Sequence, residues 1–152
     1  MSAPTKVTPA FAATSGQLAT FRLDGDLYGV EVEHVQEVLK SQGLTRVPLA
    51  PAAVAGLINL RGQVVTAIEL RERLGRPPRP EGTDAVVIVV RLHGEAVSLL
   101  VDSIADVVDV DAADFEAPPD TLEGQARDLI RGAYKLDGQL LLALDVQKAV
   151  SA

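Results

Sequence analysis

The chain repeats itself. Arg22-Leu23-Asp24-Gly25-Asp26 returns as Arg91-Leu92-His93-Gly94-Glu95, and Val35-Gln36-Glu37-Val38 falls on Ile104-Ala105-Asp106-Val107, both at a spacing of 69 residues. Farther along, the run from Leu60 to Leu70 resembles the run from Leu136 to Val146 at a spacing of 76, so seven residues are added in the second copy. The stretch from Pro118 to Asp128 is the expected place for that insertion. A period this long implies two similar lobes, since solenoid units recur at about 20–50 residues.

Turn chemistry predicts what each copy contains. Asp24-Gly25 separates Leu18–Leu23 from Asp26–Val32, and the pair favours a type I′ hairpin because both central residues take positive φ. His93-Gly94 and Asp137-Gly138 repeat the signal, joining Ala85–Leu92 to Ala96–Val101 and Arg131–Leu136 to Gln139–Leu144. Val64–Ile68 and Val107–Val110 read as further strands. Apolar residues at Val35, Val38 and Leu39 have the spacing of a short helix over Glu33–Leu39 ending at Gly43, and Ala52–Leu57 reads as one helical turn. Short helices are also expected at Leu70–Leu74, before Gly75, and at Val146–Ala149. Pro77-Pro78-Arg79-Pro80-Glu81-Gly82 is the strongest linker, because proline continues neither a ladder nor a helix interior, and residues 77–82 divide the two lobes. Many short strands at close intervals describe small barrels rather than a parallel sheet with crossover helices.

Composition narrows the function. Of 152 residues 47% are hydrophobic and only 3% aromatic, so the interior is aliphatic. A formal charge of −7 disfavours nucleic acid. Arg71, Arg73, Arg76 and Arg79 cluster, but Glu69, Glu72 and Glu81 interrupt them without an aromatic platform, which predicts a solvated helix end and loop. The absence of cysteine fits a reducing cytosol. Residues 1–16 read as a flexible tail, with an apolar run at Ala10–Ala13 too short for a signal-peptide core. No apolar run approaches the ~18 residues of a membrane span, so direct membrane insertion is not expected.

Catalytic patterns are missing. The sequence carries no nucleophile elbow, phosphate loop or dinucleotide fingerprint. His93 falls in a turn, and His34 opens the first expected helix. Asp106, Asp109, Asp111, Asp114 and Glu116 lack the alternating ligands and the glycine of a calcium loop, and read as a solvated strand edge. No catalytic residue, metal or cofactor is assigned.

A charged residue between apolar runs, beside two glycines, marks Gly56-Leu57-Ile58-Asn59-Leu60-Arg61-Gly62-Gln63-Val64-Val65 as a shaped surface feature. Gly62 permits a tight turn into the following strand and gives Arg61 a fixed direction. With Val35-Gln36-Glu37-Val38, Val47-Pro48, Glu69-Leu70-Arg71, Val101-Asp102-Ser103-Ile104, Ile130-Arg131-Gly132 and Leu136-Asp137-Gly138, this segment resembles the CheW family of bacterial chemotaxis adaptors over residues 16–150. Thr66-Ala67 departs from a proline-containing step common in the family, and Glu69 stands for its usual Asp.

The resemblance implies a mainly β, CheW-like fold of two SH3-like five-stranded barrels with short helices, forming a single domain over 17–150. It implies a cytoplasmic, non-enzymatic adaptor that joins membrane receptor arrays through its partners: the cytoplasmic tip of chemoreceptors and the regulatory domain of a CheA-type histidine kinase. It also implies a receptor groove in which Glu37 and Arg61 form an ion pair, with Val35, Val38, Leu57, Asn59 and Gly62 around it. The alternatives are a standalone small-molecule barrel with an apolar cavity between the lobes, and an enzyme using the acidic cluster, which lacks a base, a nucleophile and a phosphate cradle.

Overall fold

The computed structural model describes residues 16–40 and 44–151. The first copy supplies β1 (Gly16–Leu23), β2 (Asp26–Glu31), β3 (Val35–Lys40), β4 (Leu44–Thr45), β5 (Val54–Leu60), β6 (Gln63–Glu69) and α1 (Leu70–Arg73). The second supplies β7 (Val86–Leu92), β8 (Glu95–Val101), β9 (Ser103–Val110), β10 (Phe115–Glu116), α2 (Gly124–Leu129), β11 (Ile130–Leu136), β12 (Gln139–Leu144) and α3 (Val146–Val150). The expected tail lies outside the described residues except for Gly16, and so does Gly43.

The strands form two six-stranded sheets. Sheet I has the order β10-β11-β12-β2-β1-β9 and sheet II the order β3-β7-β8-β6-β5-β4. Each holds five long strands, as expected, plus one of two residues, β10 or β4.

Register confirms the repeat residue by residue. Phe21 pairs with Ile104 as Val90 pairs with Val35, and the parallel pair Ala143 and Gly29 matches Ala67 and Ser98. Those positions differ by the same 69 and 76 residues seen in the sequence. The repeats nevertheless exchange hairpins: β1–β2 completes sheet I, otherwise built by the second copy, and β7–β8 completes sheet II, otherwise built by the first. Residues 77–82 therefore divide the repeats but not the sheets, and connect β6 to β7 within sheet II. The insertion is also split. Phe115 and Glu116 stand 71 residues after Leu44 and Thr45, which leaves only part of the extra length between Pro118 and Asp128, a stretch that is loop as expected through Glu123 and then enters α2.

Two expected helices are strands. Val32–His34 makes a single 3-10 turn, and β3 then runs from Val35 with alternate burial. A register shift between Val35 and Glu37 offsets the apolar residues, so an alternating strand carries helical spacing. Ala52–Leu57 is a turn followed by β5. Asp24-Gly25 and His93-Gly94 have positive φ at both residues, whereas at Asp137-Gly138 only the glycine does, the sign pattern of a type II turn.

The main core lies between the sheets, with Phe21, Tyr28 and Val30 from sheet I against Ile68, Ile88, Val90 and Leu99 from sheet II. Full burial of each such side chain contributes about 1.5–3 kcal/mol. Phe21 and Tyr28 are stacked at 5.9 Å. Two smaller clusters fill the sheets' own interiors, around Ile58 in sheet II and Tyr134 in sheet I.

Candidate functional site

Leu60 and Gln63 face each other across β5 and β6, leaving Arg61-Gly62 as a two-residue turn with φ of 52° and 86°. Gly62 N–H donates to Asn59 Oδ1 at 2.9 Å, which braces the turn from inside the same strand. The left-handed backbone at Arg61 carries its side chain to the edge strand β3. There Nη1 donates to Glu37 Oε2 at 2.6 Å and Nη2 to Oε1 at 2.5 Å. Since β7, β8 and β6 lie between β3 and β5 in the sheet order, the contact requires sheet II to curl.

The pair is asymmetric. Arg61 keeps 74% of its side chain exposed and Glu37 only 17%. Hydrogen bonds from Arg61 hold the Glu37 carboxyl below its ordinary range, and those to Glu37 raise Arg61. The guanidinium is thus fixed by a two-pronged contact while remaining open to solvent.

The other expected residues distribute around it. Asn59 is exposed, Leu57 lies on the same face of β5, and Gly62 is in the turn. Val35 is half-buried and packs against the main core. Val38 is 44% exposed, but as the immediate neighbour of Glu37 in β3 it projects from the opposite face. Val64, which sequence reasoning did not single out, pairs with Asn59 and is 63% exposed. Its signal was two adjacent valines in a strand, one of which has to face outward.

A second charged constellation corrects the expectation of a solvated arginine run. Arg71 is buried, with Nε and Nη2 donating to the two Asp102 oxygens at 2.9 and 2.6 Å and Nη1 to the Pro77 carbonyl at 2.8 Å. Arg79 donates to Glu69 at 2.8 Å and to Asp102 at 3.1 Å. Arg76 pairs with Asp26 and donates to the Tyr28 hydroxyl at 2.9 Å. Asp102 in turn accepts from the Asp24 backbone N–H at 2.8 Å. The guanidinium groups are spent internally, pinning the β1–β2 turn and the proline-rich segment to the β8–β9 connection.

Burial pushes the Asp102 carboxyl up, but hydrogen bonds from Arg71 and the Asp24 backbone, with the charges of Arg71 and Arg79, outweigh it and bring it down to about 2. Glu69 moves the other way, raised mainly by burial against the opposing pull of Arg79.

The acidic group behaves as a strand edge. Asp106 and Asp109 lie on the edge strand β9, Asp111 accepts from Ala113 N–H, and Glu116 pairs with Lys135 at 3.1 Å. Among the described residues no three His, Cys, Asp or Glu side chains are grouped to hold a metal ion. None of the helices there is long and apolar enough to cross a membrane.

A family model, that of the CheW-like domain, matches residues 17–152. The chain belongs to the CheW family. It is 31% identical over 140 residues to the chemotaxis protein CheW of Treponema pallidum, covering 90% of this chain and 82% of that one. Against the chemotaxis protein CheW of Bacillus subtilis the identity is 30% over 132 residues, covering 87% and 85%. The crystal structure of the scaffolding protein TtCheW from Thermoanaerobacter tengcongensis superposes with a TM-score of 0.76 at 29% identity, covering 87% of this chain and 90% of that one. The two exchanged sheets are thus built on the CheW scaffold, and Glu37, Arg61, Arg71 and Asp102 all fall within the matched region.

Proposed function

We propose that this protein is a non-enzymatic chemotaxis adaptor that couples the cytoplasmic tip of transmembrane receptors to the regulatory domain of a CheA-type histidine kinase. Membership of the CheW family and likeness to a scaffolding protein support the adaptor role. The observation that carries the receptor assignment is the Glu37–Arg61 pair: a guanidinium held rigidly at the surface, with exposed Asn59 and Val64 beside it. Arginine next to apolar surface is the residue set of an interface anchor. On this reading Glu37, Leu57, Asn59, Arg61, Gly62 and Val64 receive the receptor hairpin, while Val35 supports β3 from the core side and Val38 extends the contact on its outer face. The protein works in the cytoplasm and joins membrane arrays only through its partners.

The test is isothermal titration into the regulatory domain of the CheA-type kinase of the same organism, then into a receptor-tip fragment. Saturable binding at micromolar strength or tighter, about −8 kcal/mol, is expected for the kinase. Absence of heat and of any complex with both partners would overturn the reading.

A further inference from the structure

Two hairpin turns carry the same dipeptide in different settings. Asp24-Gly25 and Asp137-Gly138 each join paired strands through two residues. Asp24 takes a φ of 49°, its N–H donates to Asp102 Oδ2 at 2.8 Å, and its own carboxylate accepts from Arg76 Nη1 at 3.4 Å. Asp137 lacks the positive φ and is exposed, and among the described residues its carboxylate has no hydrogen-bond or ion-pair partner. The repeat shows why. Asp137-Gly138 is the counterpart of Arg61-Gly62 at a spacing of 76, and the counterpart of Glu37 at a spacing of 69 is Asp106. Where the first repeat sets a guanidinium against a carboxylate, the second has two carboxylates, and like charges form no pair. The next nitrogen is equally unengaged: a Cβ on Gly138 would meet open space, and its N–H makes no hydrogen bond among the described residues.

A free carboxyl followed by glycine is the arrangement from which a peptide chain rearranges without an enzyme. The Gly138 nitrogen attacks Asp137 Cγ in its acid form. An N–Cγ bond forms, a Cγ–O bond breaks, and the hydroxyl leaves with the N–H proton as one water, closing a five-membered succinimide. A second water then opens the ring. Opening at Cγ restores Asp137. Opening at the main-chain carbonyl carbon leaves the chain running through Cγ, with that carbonyl freed as a carboxylate; nothing is oxidised or reduced. At Asp24 the same ring closure first has to break the contacts with Arg76 and Asp102.

We propose that Asp137-Gly138 is a site of spontaneous isoaspartate formation and that the product loosens sheet I from within. The isomer lengthens the main chain of the turn by one carbon, and in a two-residue hairpin the turn sets the register. The Leu136–Gln139 pair and the hydrogen bond from Arg22 to Gln139 Oε1 at 3.1 Å lie directly beside it. Strand β12, which starts there, joins β11 to β2, so the disturbance enters the middle of the sheet and not an edge. The site is separate from the Glu37–Arg61 surface and does not depend on the adaptor assignment.

The experiment ages the full folded chain at neutral pH and physiological temperature. Isoaspartate is counted by methyl transfer from S-adenosylmethionine with an L-isoaspartyl carboxyl methyltransferase, and located by peptide mass mapping. It is expected at Asp137 and at least about tenfold less at Asp24, whose turn is held by two charged hydrogen bonds. Asp137→Glu abolishes the signal, since ring closure there needs six members and is far slower. The isomerised fraction of the parent, separated from the rest, melts at a lower temperature. No isoaspartate at Asp137, equal amounts at the two turns, a signal that persists in Asp137→Glu, or an isomerised fraction that melts with the parent overturns the proposal.

Discussion

Arg71 and Asp102 meet through two hydrogen bonds of 2.9 and 2.6 Å, one residue from each repeat and both drawn from the matched family segments. The contact joins α1 to the point where the chain leaves sheet II for sheet I. Asp102→Asn strips the negative charge from beside two arginines, one of them buried, a loss of about 3–5 kcal/mol. At roughly 2–4 °C per kcal/mol, thermal unfolding should register a fall of about 6–20 °C. A fall under about 2 °C would remove Asp102 from the fold's supports.

Acid should act on the same carboxylate. Its folded pKa of about 2 lies below the unfolded value of about 3.9, so its stabilisation is fully present above pH ~4 and is lost as pH falls toward 2. Urea midpoints measured across that window should decline more steeply in the parent than in Asp102→Asn.

Arg61→Ala separates binding from folding. With three quarters of the side chain in solvent, its removal should shift melting by less than about 4 °C while weakening receptor-tip binding about tenfold. A large melting loss would assign Arg61 to the fold.

Glycines at 56 and 62 sit in one motif for different reasons. A Cβ on Gly56 would collide with the Thr45 carbonyl, whereas one on Gly62 meets open space and only a φ of 86° opposes it. Gly56→Ala should cost about 1–3 kcal/mol from crowding on top of backbone strain, and Gly62→Ala only the strain, about 1–2 kcal/mol. Chemical denaturation of the two variants reads the order directly.

Leu49 is fully exposed at a φ of 66°, a conformation that costs a leucine roughly 1–2 kcal/mol. Asparagine tolerates it better, so Leu49→Asn should raise the melting temperature by about 2–4 °C.

The sequence was most legible where local chemistry decides. Asp24-Gly25 and His93-Gly94 named their turns, and the offsets of 69 and 76 proved to be the strand register itself. Legibility failed at β3, where the shift between Val35 and Glu37 imitates helical spacing, and at Arg71, whose neutralising partner Asp102 is 31 residues away. Charge along a chain says little about burial when the opposite charge arrives from another element. The Glu37–Arg61 pair, 24 residues apart, was likewise reachable only through family resemblance. The exchange of hairpins left no mark, because both repeats would read identically with or without it.

That exchange governs when the molecule can fold. Strand β2 finds its parallel neighbour only in Leu141, Leu142 and Ala143, with Leu141 paired to Leu27, 114 positions earlier in the chain. Sheet I therefore cannot close until β12 has been made, and a nascent chain carrying only the first repeat holds an apolar hairpin with both edges unsatisfied. Such long-range pairing slows folding and exposes strand edges on the way. Cells that make this protein thus meet its aggregation hazard in the interval between the emergence of β2 and that of β12, and chaperone demand should peak there.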